Sequence, residues 1–170
     1  ELNQIDLGVI SNAFSYIPPM EGILNADFQY APSDSAFMVV ADMNIDDLYY
    51  ENERVGELMF NAVYLPLEQG NHQVDMHLFR DRKEVSAITA LYQMGETDHI
   101  SGTVEFMHFP LDIANPFIPD DMAKMGGDLD GTLAISGQSD KPMAEGYLIL
   151  DTASVYVAPQ VLPSVSTIKR

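Results

Sequence analysis

Gly126-Gly-Asp-Leu-Asp-Gly-Thr-Leu-Ala-Ile-Ser-Gly137, then Gln138-Ser-Asp-Lys-Pro142, then Met143-Ala-Glu-Gly-Tyr-Leu-Ile-Leu-Asp151, is the stretch that decides the fold. In its first part Leu129, Gly131, Leu133, Ile135 and Gly137 alternate with Asp128, Asp130, Thr132, Ala134 and Ser136. Side chains on a strand point to opposite faces with a period of two, so this is a strand with one oily and one wet face. The polar pentapeptide ending in Pro142 interrupts the run, because proline fixes φ and brings no ladder donor. A second strand then places Ala144, Gly146, Leu148 and Leu150 on one side. The stretch reads as a hairpin whose apolar side alternates small and large residues.

Working outward, the same rhythm fills most of the chain. Leu24, Ala26, Phe28 and Tyr30 share a face against Ile23, Asn25, Asp27 and Gln29, and Pro32-Ser33-Asp34 reads as a turn. Phe37 to Ile45, Leu58 to Tyr64, Val74 to Leu78, Val85 to Tyr92 and Ile100 to Phe109 follow. Pro66, Gly70, the Arg80–Glu84 charge cluster and Gly95 punctuate them. The state of Asp46 to Arg54 stays open. Strands recurring every ~12–15 residues with turn signals between them are the all-β pattern. Pro119 to Met125 alone reads as helix, with Pro119 early, Asp120 and Asp121 at the positive end and Gly126-Gly127 as the stop. The first ~20 residues read as irregular, and the tail after Pro159 as frayed.

Composition narrows the function. At 170 residues the chain is one domain, 1–170, and 46% apolar content separates it from disordered sequences. A net charge of −18 with only eight Lys and Arg excludes nucleic acid as a partner and opposes direct docking on an anionic bilayer. Without Cys there is neither a disulfide framework nor a thiolate metal site. No apolar run approaches the ~20 residues of a membrane-spanning helix. Opening at Glu1 without a Met suggests a segment of something longer.

Asp128-Leu-Asp-Gly-Thr-Leu133 matches the nucleophile motif of haloacid-dehalogenase-type phosphatases. That chemistry needs the aspartate at the tip of a buried parallel strand with Mg²⁺ beside it. Met125-Gly126-Gly127 is no such strand, and too little chain follows for the rest of that core. We therefore read both aspartates as wet-face residues. His72 and His77 fall on opposite faces of one strand by parity, and His99 and His108 stand apart from any ligand cluster. Asp120-Asp121 with Asp128 and Asp130 lacks calcium-loop spacing. No catalytic residue, metal site or cofactor follows from these patterns, and no enzyme activity is expected.

One-sided apolar strands fit two architectures. Two sheets can close face to face into a sandwich, or one curled, mostly antiparallel sheet can leave a groove open to an apolar guest. Gly102, Gly131, Gly137 and Gly146 on the apolar faces suit curvature in either.

Residues Phe109 to Val157 resemble the TamB family (the translocation and assembly module). The resemblance is carried by Gly127-Asp-Leu-Asp-Gly-Thr-Leu-Ala-Ile-Ser-Gly137, Pro142 and Gly146-Tyr-Leu-Ile-Leu150, and upstream by Phe109-Pro-Leu-Asp-Ile-Ala-Asn-Pro-Phe-Ile-Pro-Asp-Asp-Met122. It implies one periplasmic segment of an AsmA-like, bridge-like lipid transfer protein, anchored in the inner membrane of a Gram-negative envelope. The implied fold is a taco-shaped β-sheet with an apolar concave face. The implied partners are phospholipid acyl chains and an outer-membrane barrel of the TamA or BamA type, and the implied role includes assembly of outer-membrane proteins and autotransporters. The expected groove lining is Phe37, Val39, Met43, Leu58, Phe60, Val74, Met76, Leu78, Val104, Phe106, Leu129, Leu133, Ile135, Leu148 and Leu150. The alternative is a structural or adhesive β-domain that binds a protein by strand addition.

Overall fold

The computed structural model describes residues 1–14, 16–32, 37–51, 53–118 and 123–157. The turn expected at Ser33-Asp34, the Asp120-Asp121 pair and the tail beyond Pro159 lie outside them. The strands are β1 (Leu2–Asp6), β2 (Met20–Pro32), β3 (Phe37–Tyr50), β4 (Glu53–Pro66), β5 (His72–Arg80), β6 (Lys83–Gln93), β7 (His99–Pro110), β8 (Ala123–Gln138) and β9 (Lys141–Val157). Helix α1 (Leu7–Ala13) follows β1, and short 3-10 segments occupy Glu68–Gly70 and Leu111–Phe117.

The strands form one nine-stranded sheet in simple sequence order, every pair antiparallel. The chain is all-β, an open curled sheet. Among the described residues no second sheet covers it, so the sandwich alternative is not the one realised. Short turns produce this meander: Asp81 and Arg82 both carry positive φ, at 48° and 65°, in the two-residue connection of β5 to β6. Paired positive φ in such a loop matches the right-handed twist of the flanking strands.

Directly opposed residues share a face, so register assigns the two surfaces. Ala26, Met43, Phe60, Leu78, Ser86, Phe106, Gly131 and Leu148 stand side by side from β2 to β9. The neighbouring row is Phe28, Ala41, Ala62, Met76, Ile88, Val104, Leu133 and Gly146. The opposite surface carries Asp27, Asp42, Asn61, His77, Ala87, Glu105, Thr132 and Tyr147 in one such row. One face is apolar and the other mostly polar and acidic.

Curling is concentrated at one end. Register slips between Glu21 and Ile23, Ile45 and Leu48, Leu78 and Phe79, Phe106 and Phe109, and Gly126 and Asp128 line up across the sheet near the same strand ends. Each extra residue bends its strand and increases the local twist, so a row of them rolls the sheet. The result is visible in an ion pair between Lys124 on β8 and Glu53 on β4. In a flat sheet those strands lie four steps, or ~19 Å, apart, beyond the reach of the two side chains.

Helix α1 and Leu111–Phe117 fill the rolled end. Asp6 caps α1, its Oδ1 accepting from the N–H groups of Gly8 and Val9 at 2.8 and 3.2 Å. Leu7 packs with Leu48, Val55 and Leu58, and Ile10, Leu24, Ile45, Phe60 and Ile113 close around them. Arg80 holds the 3-10 segment through a forked contact to Asp112, Nη1–Oδ1 2.5 Å and Nη2–Oδ2 3.3 Å. Leu7, Leu48, Val55 and Leu58 form a buried hydrophobic cluster. Val55, only 1% exposed, sits at its centre, and Val55→Ala should cost about 2 kcal/mol of stability. Chemical denaturation reads this, and a change under ~0.5 kcal/mol would mean that the end is not packed as described.

Two sequence expectations are corrected here. The start of the chain is not irregular throughout: Leu2–Asp6 pairs with β2 and Leu7–Ala13 is helical, while 16–19, ending at Pro18-Pro19, have no regular structure. The helix expected over 119–125 does not reach its last residues, because Ala123–Met125 begin β8 (119–122 lie outside the described residues). The Asn115 side-chain amide imitates a strand partner for Met125, donating to its carbonyl at 2.8 Å and accepting from its N–H at 2.7 Å.

Candidate functional site

The fifteen residues expected to line a groove fall on the one apolar face. Phe37, Val39 and Met43 come from β3, Leu58 and Phe60 from β4, and Val74, Met76 and Leu78 from β5. Val104 and Phe106 come from β7, Leu129, Leu133 and Ile135 from β8, and Leu148 and Leu150 from β9. Register makes neighbours of Met43 and Phe60, of Phe60 and Leu78, of Val104 and Leu133, and of Leu129 and Leu150. Ile45 and Ile88 join the same surface. Most of these side chains are half-buried by their neighbours, whereas Leu148 and Leu150 on the edge strand are 50% and 61% exposed. Leu58 departs from the set. It is buried in the cluster at the rolled end and is part of that packing.

The two ends of this trough differ. The rolled end is plugged by α1 and Leu111–Phe117. At the other end an unbroken line of rings crosses the strands from β2 to β6. Tyr30 to Phe37 is 5.5 Å between centroids, Phe37 to Tyr64 6.0 Å, Tyr64 to His72 5.8 Å and His72 to Tyr92 5.9 Å. On β4 to β6 the hydroxyls are engaged: that of Tyr64 lies 2.8 Å from His72 Nδ1, and that of Tyr92 donates to Asp98 at 2.5 Å. Sequence reading missed this rim. The rings were visible singly, but only register across five strands brings them into one row. His72 and His77 do fall on opposite faces, His77 pairing with Glu84.

Asp98 carries the clearest electrostatic signature of the rim. The Tyr92 hydroxyl, and after it the Gly95 N–H, hold its carboxyl below the ordinary aspartate range. The same contact raises the Tyr92 phenol. A depressed carboxylate pKa stabilises the fold above the ordinary aspartate range and loses that effect as pH falls through the lowered value. The raised phenol contributes below the usual tyrosine value of ~10 and loses its effect as pH rises through the folded one. The rim turn is therefore firmest between those limits. Tyr92→Phe should move the Asp98 titration, followed by carboxyl-carbon NMR, upward toward the ordinary value. An unmoved titration contradicts the assigned cause.

Among the described residues, no three His, Asp or Glu side chains gather in a metal-binding group. Asp130, from the phosphatase-like motif, accepts the His108 N–H at 2.8 Å on the polar side, where its backbone partner is Ile149. The arrangement offers surface and shape, and what it can do chemically is exclude water from an apolar guest. Comparison with protein-family models, curated proteins and solved structures gives no match.

Proposed function

We propose that this chain is a holder of apolar chains: a single-layer β-gutter whose uncovered face shields hydrocarbon from water. More particularly, we read it as a periplasmic segment of a TamB-like lipid transfer protein, binding phospholipid acyl chains on their way between inner and outer membranes of a Gram-negative envelope. The observation that carries the reading is the apolar face itself, continuous from β2 to β9 with no second sheet over it among the described residues. Soluble domains rarely expose contiguous apolar patches beyond a few hundred Å² unless something binds there. A tail of ~15 methylenes costs roughly 12 kcal/mol to expose to water, at ~0.8 kcal/mol each. Non-directional apolar contacts offset that cost and accept tails of varied shape, and methionines such as Met43 and Met76 adapt to them. The acidic opposite face supports solubility. No catalytic step is part of this reading.

The test is direct loading. Protein mixed with phospholipid vesicles and separated from them by gel filtration should retain about one or a few lipids per chain, and retention of none contradicts the proposal.

A specific feature favours a second role alongside it. β9 is exposed from Lys141 to Ser154, with Tyr147, Leu148, Ile149 and Leu150 each at least half exposed, and among the described residues it forms one edge of the sheet. Such an edge is a template for a partner strand. In this reading the barrel partner of the TamA or BamA type pairs there. Cross-linking through a cysteine at Met143 should capture that partner, whereas a cysteine at Met59 inside the sheet should not.

A further inference from the structure

The trough is polar along its length, and that polarity assigns an orientation to its guest. From Leu58 at the plug to Tyr64 at the rim, β4 advances six residues, about 20 Å at ~3.3 Å per residue. One leaflet's share of the ~30 Å hydrocarbon core of a bilayer is ~15 Å, so a single extended acyl tail fits between plug and rim.

At the rim the chemistry changes from aliphatic to amphipathic. Tyr64 and Tyr92 present rings toward the trough row and place their hydroxyls on His72 and Asp98. Tyrosines with one apolar and one wet end settle at the level where hydrocarbon meets headgroup. The turns at this end carry Glu68, Glu96, Asp98 and Asp140 against Lys141. This local excess of acid repels an anionic headgroup and complements an ammonium, and aromatic rings beside a carboxylate suit that cation. At the plug end Arg80 and Lys124 are committed to acidic partners, Asp112 and Glu53.

Building on the acyl-holding reading, we propose that the row Tyr64, His72 and Tyr92 with Asp98 is a headgroup subsite for ammonium-bearing phospholipids, ethanolamine or choline in class. The tail runs from it along the trough, methyl end toward α1. A guest held this way enters and leaves by the rim. The trough then acts as a blind-ended cup for as long as α1 stays docked.

The chain has no Trp, which makes single reporters clean. Tyr64→Trp at the rim and Phe60→Trp toward the plug, each checked for an unchanged circular dichroism spectrum, are loaded with phosphatidylcholine brominated near either the carbonyl or the methyl end. The rim reporter should be quenched more by carbonyl-end bromine and the deep reporter more by methyl-end bromine. Reversed or equal quenching at the two positions overturns the orientation. Absence of quenching by either lipid overturns the acyl-holding reading itself, so the two failures are distinguishable. In competition, ethanolamine or choline lipid should bind about 2–5-fold better than phosphatidylglycerol with the same chains, the range a solvent-exposed cation–π contact gives. Asp98→Asn should reduce that preference. A preference for the glycerol headgroup, or one untouched by Asp98→Asn, overturns the subsite.

Discussion

Leu133→Asp should leave the sheet folded and lower its phospholipid binding at least about tenfold. Leu133 lies in the middle of the apolar face, flanked by Val104 on β7 and Gly146 on β9. It is half-buried rather than enclosed. Replacing it therefore forfeits about 1–2 kcal/mol of burial, part of the range for a fully buried leucine, and the new carboxylate keeps access to water while the trough is empty. A bound acyl chain removes that access. Desolvating even a neutral polar group without a partner costs ~2–7 kcal/mol, and ~1.4 kcal/mol already makes a factor of ten in affinity. Ser136→Asp, on the opposite face of the same strand, is the matched control and should change binding less than twofold (~0.4 kcal/mol). If Leu133→Asp simply unfolds the protein, the face is covered in solution and the open gutter is wrong.

The second large effect concerns the edge of the sheet. Gly131 and Gly146 lie one row apart across β8 and β9. A Cβ at Gly131, where φ is +153°, would come 2.2 Å from the Tyr147 carbonyl oxygen, and one at Gly146 would come 2.0 Å from that of Thr132. Both obstacles are backbone of the paired strand, so nothing can swing aside. Gly131→Val should destabilise by about 2–5 kcal/mol, combining overpacking with a strained backbone. Faster amide exchange along β8 and β9 and a lower urea midpoint would report it. Gly95→Ala, where the nearest atom is 3.4 Å away, should be near neutral. Equal behaviour of the two substitutions contradicts the close strand approach. Loss of β9 would also remove Leu148 and Leu150 from the trough and the edge offered to a partner strand.

These predictions rest on features that were unequally legible in the sequence. Alternation from Leu129 to Gly137 placed β8, and parity alone put the expected lining on one face, because a strand's period of two leaves no intermediate orientation. Helix α1 was overlooked although its signals are present: Asp6 as cap, then Leu7, Ile10 and Ser11 on one side. Seven residues are too few for periodicity to stand out. The curl was not legible at all. It comes from bulges that set non-glycine residues such as Asp47 and His108 at positive φ, 46° and 47°, and no residue type announces that. Nor could the aromatic rim be read, since its rings meet only after several registers are fixed in succession. The start of β8 failed for a related reason. Asn115, ten residues upstream, supplies the contacts that make Met125 extended, overriding a local composition that favoured a helix.

The account turns on which surface meets hydrocarbon, and site-specific photo-crosslinking in intact cells tests that most directly. A benzophenone side chain at Phe106 points into the trough beside Ser86 and Gly131, while the same group at Glu105, one residue earlier, points to the acidic face beside Ala87 and Thr132. Phospholipid adducts at 106 and none at 105 are the predicted result. Adducts at neither position, or at both alike, would contradict an apolar face that receives acyl chains.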